Sequence, residues 1–200
     1  MAGKQSTGEW TTRPLTKSDY DYIVGVIDRW WGGPTSTLAH PSLFYELGKL
    51  ARVVEHEGKP IGFLFGFVAG DGTTGYVHLV GIAPEHRRRG VASALYRAFE
   101  ADCRAAGCRV LKALTNPGND GSVRFHQRQG WKCEQVADYA GAGRTRLVFT
   151  KKLSGGGGSA KRVARRAAPA TGKRGPATKR EALPPTERSG RHSTKRPATR

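Results

Sequence analysis

The stretch from residue 78 to residue 95, HLVGIAPEHRRRGVASAL, constrains the fold of this chain more than any other. Its first residues are apolar and predict a buried strand, which Pro84 ends because proline has no amide hydrogen to donate. Apolar residues then recur at the spacing of one helical face, at Val91, Leu95, Phe99 and Cys103. The stretch therefore predicts a strand, a tight turn and a helix.

Residues 87–92 lie where the turn becomes the helix. The first backbone N–H groups of a helix have no partner inside it and point in one direction. Together with the positive end of the helix dipole they form an anion site. Gly90 lets the backbone come close to the anion, and Ala92 adds little bulk. The turn is therefore predicted to bind a phosphate-like group.

A second motif covers residues 119–131. Asn119 is followed by a small residue three positions on, Ser122, and by an apolar residue six positions on, Phe125. Gly130 and the aromatic Trp131 close the motif. A polar loop rich in turn-forming residues precedes it, and the segment predicts a short helix over 122–129 that ends at Gly130.

The two motifs together resemble those of the GNAT superfamily of N-acetyltransferases. That family has Arg or Gln, two residues, Gly, one residue and then Gly or Ala after its fourth strand, which Arg87, Gly90 and Ala92 match. The second motif matches at its Asn, small, apolar, Gly and aromatic positions. The resemblance extends over about residues 11–152 and is strongest from 76 to 131.

The resemblance implies that acetyl-CoA is the co-substrate. The main chain of the strand would hold the pantetheine arm, the turn amides would hold the pyrophosphate, and Asn119 would bond the pantetheine arm. The cofactor-binding residues implied are Leu79, Val80, Gly81, Ile82, Arg87, Arg88, Arg89, Gly90, Val91, Ala92, Ser93, Asn119, Ser122 and Phe125. No metal-binding motif is present in the sequence, so we expect no metal.

Acetyl transfer to an amine requires a neutral amine and a proton for the departing thiol. The family's usual tyrosine near the sulfur is replaced by His126, which implies a catalytic histidine with an ordinary pKa of about 6.5; the alternative is a packing residue. His78 on the strand is one candidate for the base that deprotonates the amine, or else a core residue. Asp28, Glu46 and Glu55 are the other candidates.

The resemblance predicts an acetyl-CoA-dependent N-acetyltransferase acting on a primary amine. Small amines, aminoglycosides, peptide N-termini and lysines all stay open as acceptors. The alternative is a catalytically weak acyl-CoA-binding module that tethers a nucleic-acid-binding tail. Four aromatic residues are candidates for the acceptor groove, although Trp31 is expected to pack instead: Trp30, Trp31, Tyr45 and Tyr139.

The elements predict the order β-α-α-β-β-β-α-β-α-β-β, and therefore a three-layer α/β domain with a mixed sheet. The resemblance adds a GNAT fold with splayed central strands. Thr16 and Asp19 form a capping-box pattern at the start of the first helix. A second helix is expected over 41–49, with Leu43, Phe44 and Leu47 facing inward.

Positive charge is concentrated near the C-terminus. Residues 1–153 carry a net charge of +7, whereas residues 154–200 carry +11. The predicted organisation is a flexible lead over 1–10, the domain over 11–153, a Gly/Ser linker over 154–160 and a basic disordered tail over 161–200. The paired basic residues of the tail suit nucleic-acid phosphates; a solubilising tail is the alternative.

The three cysteines, Cys103, Cys108 and Cys133, have no paired spacing. They indicate a reducing compartment and no disulfide framework. No apolar run reaches the roughly 20 residues that span a membrane, and the polar N-terminus is unlike a signal peptide. We therefore expect a cytoplasmic protein with no membrane partner.

Overall fold

Eight strands form one mixed sheet in the computed structural model, which describes residues 5–7 and 10–153. The strands are β1 (Gln5–Thr7), β2 (Trp10–Pro14), β3 (Arg52–His56), β4 (Lys59–Val68), β5 (Thr74–Ile82), β6 (Val110–Thr115), β7 (Lys132–Val136) and β8 (Arg146–Lys152). Their spatial order is β1-β2-β3-β4-β5-β6-β8-β7, with β5 and β6 parallel and the other described neighbours antiparallel. Strand β1 lies within the segment that the sequence predicts to be a flexible lead.

The two parallel strands separate after a short stretch of pairing. Strand β5 pairs with β6 only from Thr74 opposite Val110 to Val77 opposite Ala113. Beyond that point β5 continues along β4 as far as Ile82, while β6 continues along β8. The main chain of β5 after Val77 thus has no strand partner on its β6 side. The predicted splay of the central strands is confirmed.

Helices cover both faces of the sheet, as the three-layer prediction requires. They are α1 (Lys17–Trp31), α2 (Ser42–Tyr45), α3 (Val91–Ala105) and α4 (Asp120–Arg128). Helix α1 packs Ile23 and Ile27 onto Phe63 and Phe65 of β4 on one face. On the other face α3 buries its predicted apolar residues, Val91, Leu95, Phe99 and Cys103, each at most 1% exposed. Burial of these faces stabilises the three layers, at about 25 cal/mol per Å² of apolar surface.

The start of α1 follows the capping-box pattern of the sequence. The Thr16 side chain accepts a hydrogen bond from the Asp19 amide, and the Asp19 carboxylate accepts one from the Thr16 amide, so the predicted capping box is present. Gly32 ends the helix in the left-handed conformation, with φ of 79°. Residues at or within a few positions of each end therefore set the bounds of α1.

The predicted second helix over 41–49 is wrong in extent. The structure has a single helical turn, α2, and then a separate 3₁₀ turn over Gly48–Leu50. Leu43 is buried, but Leu47 is exposed because the helix has ended before it. A helix this short is marginal without packing on both sides. Within the described residues, no helix is both long and apolar enough to cross a membrane.

Candidate functional site

A cavity of about 870 Å³ lies at the N-terminus of α3, and we call it the helix-end cavity. Its volume is within the range usual for ligand sites, about 300–1,000 Å³. Its walls contain four arginines and no carboxylate. The lining residues are Trp31, Val80, Ile82, His86, Arg87, Arg88, Gly90, Val91, Ala92, Ser93, Gly121, Ser122, Arg124, Phe125, Arg128 and Gln129.

The start of α3 has the backbone geometry of an anion site. Gly90 precedes the helix with φ of 91°, a conformation that glycine adopts without strain, and no atom lies within 4 Å of where its Cβ would be. The helix ladder begins with the Ala94 amide bonding the Gly90 carbonyl at 3.0 Å. The amides of Val91, Ala92 and Ser93 therefore lie outside the ladder and next to the cavity.

The arginines of this cavity differ in their contacts and positions. Arg87 donates from Nη2 to the Trp30 carbonyl and from Nε to the Ile82 carbonyl at 3.3 Å, so it ties the turn to the end of α1. Arg124 and Arg128, four residues apart on one face of α4, line the opposite wall. Neither residue is among the predicted site residues, although their helical spacing is visible in the second motif.

A second cavity, of about 780 Å³, lies where β5 and β6 separate, and we call it the through-sheet cavity. Its lining contains two arginines, Arg87 and Arg146, two histidines, His78 and His126, and no carboxylate. The lining residues are Trp30, Trp31, Thr35, Leu38, Val77, His78, Leu79, Val80, Arg87, Tyr96, Ala113, Leu114, Thr115, Asn116, Asn119, Ser122, His126 and Arg146.

This cavity is bordered by residues from both faces of the sheet. Val77, Tyr96 and Ala113 belong to the core cluster beneath α3. Trp30 and Leu79 belong to the other cluster, beneath α1. The gap between the strands therefore connects the α3 face of the sheet with the α1 face.

The two cavities meet at four residues that line both of them: Trp31, Val80, Arg87 and Ser122. Trp31 was expected to pack, and it does stack on Phe63, with ring centroids 6.5 Å apart. Trp31 also lines both cavities. The anion site at α3 therefore lies next to the gap between the strands.

A β-bulge places His78 at this gap. On β4 the neighbours Phe65 and Gly66 pair with Leu79 and Val77, so His78 is the extra residue on β5. In a regular strand Val77 and Leu79 would face the same side of the sheet. Because of the bulge, Val77 packs beneath α3 while Leu79 packs beneath α1. Although His78 is exposed, desolvation by the surrounding protein lowers the pKa of its imidazole, and a bond to the Leu38 main chain offsets part of this. Its neutral form is therefore favoured near neutral pH.

His126 lines the through-sheet cavity but is 4% exposed. Its ring stacks on Phe149 at 4.0 Å between centroids. Nδ1 lies 2.9 Å from the Ser122 carbonyl, which can only accept, so Nδ1 carries the hydrogen and Nε2 accepts from the Tyr96 hydroxyl at 3.0 Å. Desolvation lowers the pKa of His126, opposed by the Ser122 bond.

The other residues that the resemblance implies are divided between the cavities. Asn119 lines the through-sheet cavity, where its Oδ1 accepts from the Ser122 amide at 3.1 Å and its Nδ2 donates to Thr115 Oγ1 at 3.0 Å. It therefore caps α4 as well as facing the gap. Gly81 and Arg89 line neither cavity. A Cβ at Gly81 would lie 2.3 Å from the Phe63 ring, so this glycine is required by packing beneath α1.

The carboxylates considered as bases line neither cavity. Asp28 accepts from the Thr35 and Ser36 amides at 2.6 Å each, which orders the loop after α1. Glu55 is paired with Arg13, and Glu46 lines neither cavity. Two expected groove residues, Tyr45 and Tyr139, are exposed outside the cavities as well. His78 is the one predicted base that faces the gap.

Residues 7–131 match the family model described as the acetyltransferase (GNAT) family. The chain belongs to this family. A curated relative, acetyltransferase plu1384 from Photorhabdus laumondii subsp. laumondii, is 29% identical over 104 residues. That match covers 52% of this chain and 66% of the relative, just under two thirds of the relative's own length. Within the described residues, no cluster of His, Cys, Asp and Glu could hold a metal ion.

Solved structures share the fold at low sequence identity. Ard1 from Thermoplasma volcanium superposes with a TM-score of 0.63 at 21% identity, over 73% of this chain and 99% of that one. The ribosomal-protein-S18-alanine N-acetyltransferase from Escherichia coli superposes with a TM-score of 0.62 at 17% identity, over 74% of this chain and 97% of that one. The structure of yncA from Salmonella typhimurium, solved with its cofactor acetyl-CoA, superposes with a TM-score of 0.59 at 18% identity, over 74% of this chain and 95% of that one. These similarities support the GNAT fold.

Proposed function

We propose that this GNAT acetyltransferase moves an acetyl group from acetyl-CoA to the nitrogen of a primary amine. The observation that carries the proposal is the meeting of the two cavities at Trp31, Val80, Arg87 and Ser122. A basic anion site thereby adjoins a gap that reaches the other face of the sheet. Two substrates can approach each other from opposite faces, and such positioning supplies much of a catalytic rate.

The residues of the helix-end cavity fit the phosphate-bearing end of acetyl-CoA. The amides of Ala92 and Ser93 and the open space beside Gly90 suit the pyrophosphate. Arg88, Arg124 and Arg128 add positive charge around it. The unpaired β5 main chain would hold the pantetheine arm along the gap. Acetyl-CoA, when bound, supplies the activated thioester.

His78 is the proposed base. Its lowered pKa keeps the imidazole neutral at pH 7, so it can accept a proton from an ammonium group that enters the gap. Its position on the bulge aims it at the through-sheet cavity. A neutral amine is then available for acyl transfer.

His126 stays the proposed source of a proton for the departing thiol. Since the neutral ring accepts from the Tyr96 hydroxyl at Nε2, only the imidazolium form of His126 can pass a proton to that hydroxyl, which in turn would donate its own proton to the thiol. The Ser122 carbonyl fixes the tautomer by accepting from Nδ1. His126 and Tyr96 thus form one hydrogen-bonded pair at the wall of the gap.

The function is tested by thiol release from acetyl-CoA with a panel of amines, with the products identified by intact mass. The panel contains simple alkylamines, amino acids, an aminoglycoside, and peptides with either a free N-terminus or a lysine. We expect thiol release that depends on an amine and a product heavier by one acetyl group on nitrogen. Tight binding of acetyl-CoA with no amine-dependent release would instead support the non-catalytic binding module.

Replacing His78 with glutamine is expected to lower kcat/KM by about a hundredfold or more, the range for loss of a general base. In the unchanged protein kcat/KM should fall as the pH drops and His78 is protonated, with a midpoint below about 6.5. This acid limb should disappear in His78→Gln. His40→Gln, an exposed histidine outside both cavities, serves as the control. An unchanged acid limb in His78→Gln would exclude His78 as the base.

We propose that residues 161–200 bind nucleic acid without sequence preference; these residues lie outside the described part of the chain. The support is the net charge of +11 on residues 154–200. Binding to DNA or RNA should weaken steeply with salt, since each phosphate contact releases a counterion. A truncation to residues 1–153 should bind far less. Equal binding by both proteins across a salt titration would show that the tail does not determine nucleic-acid binding.

The cytoplasmic location also stays a prediction.

A further inference from the structure

The through-sheet cavity has a distinct half on the α1 face of the sheet. Trp30 and Leu79 are in the core cluster beneath α1, and Leu38 is exposed beside them in the loop after that helix. Along β8, Leu147 and Phe149 face the α3 cluster, so Arg146 projects to the opposite face by strand alternation. This half is remote from the anion site at α3, and under the proposed function it receives the amine.

The charge of this half is positive and uncompensated within the cavity. No lining residue is an aspartate or glutamate. Arg146 is partly buried, and Nη1 donates to the Thr145 carbonyl at 2.9 Å. Among the described residues Arg146 forms no ion pair with a carboxylate. A guanidinium in such a position has donors left for an anion, and its planar fork matches a carboxylate.

We infer that the acceptor is a primary amine that also bears a carboxylate, which Arg146 binds while the amine lies at His78. The inference rests on the proposed function and names the substrate class of that site. The absence of lining carboxylates makes polycationic amines poor acceptors, because they would meet Arg146 and Arg87 with no opposite charge. The indole rings of Trp30 and Trp31 offer an apolar wall for the body of the acceptor.

The strand register sets the separation of the two groups. His78 follows Val77, which pairs with Ala113, and Arg146 precedes Leu147, which pairs with Thr115. Two strand spacings and a two-residue offset put the Cα atoms of His78 and Arg146 at least roughly 12 Å apart, because β5 and β6 separate beyond Val77. Both residues line the cavity. The geometry therefore suits an acceptor whose amine and carboxylate are several bonds apart.

The test compares matched acceptors that differ only in charge. The pairs are para-(aminomethyl)benzoate with its carboxamide and ε-aminocaproate with its carboxamide, because the remote group changes the amine little. We expect the unchanged protein to prefer each carboxylate. Arg146→Gln should raise KM for the carboxylates by about tenfold to a hundredfold, with kcat nearly constant and the carboxamides unaffected. Arg144→Gln, an exposed arginine of the neighbouring loop outside both cavities, is the matched control.

A binding measurement decides the inference even if no amine is acetylated. Calorimetry would follow the N-acetylated product of para-(aminomethyl)benzoate and its carboxamide analogue on the full chain and on both variants. Binding of the acid alone, lost in Arg146→Gln and kept in Arg144→Gln, supports the inference, and zero turnover would then count only against the proposed function. Equal use and equal binding of acid and amide, or a polyamine as the best acceptor, would overturn the inference while leaving acetyl transfer intact.

Discussion

Gly90→Glu is expected to lower the affinity for acetyl-CoA by about a hundredfold or more. The Cβ of residue 90 would project into the open space of the helix-end cavity, and the added carboxylate would stand where the pyrophosphate is proposed to bind. Two like charges about 4 Å apart near a protein surface repel by up to about 4 kcal/mol, and each 1.4 kcal/mol is a factor of ten in affinity. Titration calorimetry with acetyl-CoA measures the loss.

The same helix provides a matched control in Gly107→Glu. Gly107 has φ of 86°, is exposed with no atom within 4 Å of its Cβ position, and lies at the other end of α3 outside both cavities. Both variants carry the same left-handed strain, on the order of 1–2 kcal/mol, and the same change in net charge. We expect Gly107→Glu to bind acetyl-CoA normally. Equal affinity in Gly90→Glu and the unchanged protein would refute the assignment of the turn to pyrophosphate.

His126→Ala is expected to cost about 3 kcal/mol of unfolding free energy. The substitution removes a buried ring that stacks on Phe149 and leaves the Tyr96 hydroxyl without its acceptor. For a domain of this size the melting temperature should fall by about 10 °C. Urea unfolding measures the loss. His40→Ala, at an exposed histidine whose ring accepts from the Ser42 amide at 3.2 Å, should cost clearly less, on the order of 1 kcal/mol.

The same histidine predicts a pH dependence of stability. The pKa of His126 is lowered in the folded chain, whereas the unfolded chain keeps the ordinary value of about 6.5. Below that pH the unfolded state binds more protons than the folded state. The contribution of His126 to the free energy of unfolding is therefore fully present above about pH 6.5 and declines as the pH falls. His126→Gln should weaken this decline between pH 7 and pH 5. An identical decline in both proteins would assign the effect to other groups.

Turnover separates packing from proton transfer at His126. Loss of a general acid lowers a rate by about 10²–10⁴, and since a thiolate is a fairly good leaving group we expect the lower end of that range for His126→Ala. Acetyl-CoA affinity should change little. His126→Tyr should recover part of the rate, although its hydroxyl has to fit beside the Tyr96 hydroxyl, which now lies 3.0 Å from Nε2. An unchanged rate and pH profile in His126→Ala would make His126 a packing residue.

Much of this protein was determined by local sequence. Pro84 and Gly90 mark the turn before α3, and the apolar face of that helix is buried as its spacing predicts. The Thr16 and Asp19 pair gave the start of α1, and the two motifs identified the family. Each of these signals acts between residues a few positions apart, so the sequence displays them directly.

The tertiary structure decided which side chains surround the gap. The bulge at His78 depends on the register between β4 and β5, which single-strand alternation does not reveal. Tyr96 and His126 are 30 residues apart and meet only because α3 and α4 pack on the same face of the sheet. Arg146 reaches the gap from β8, far along the chain from His78. Pairing and packing between distant segments set these positions, and they place a second cavity next to the predicted cofactor turn.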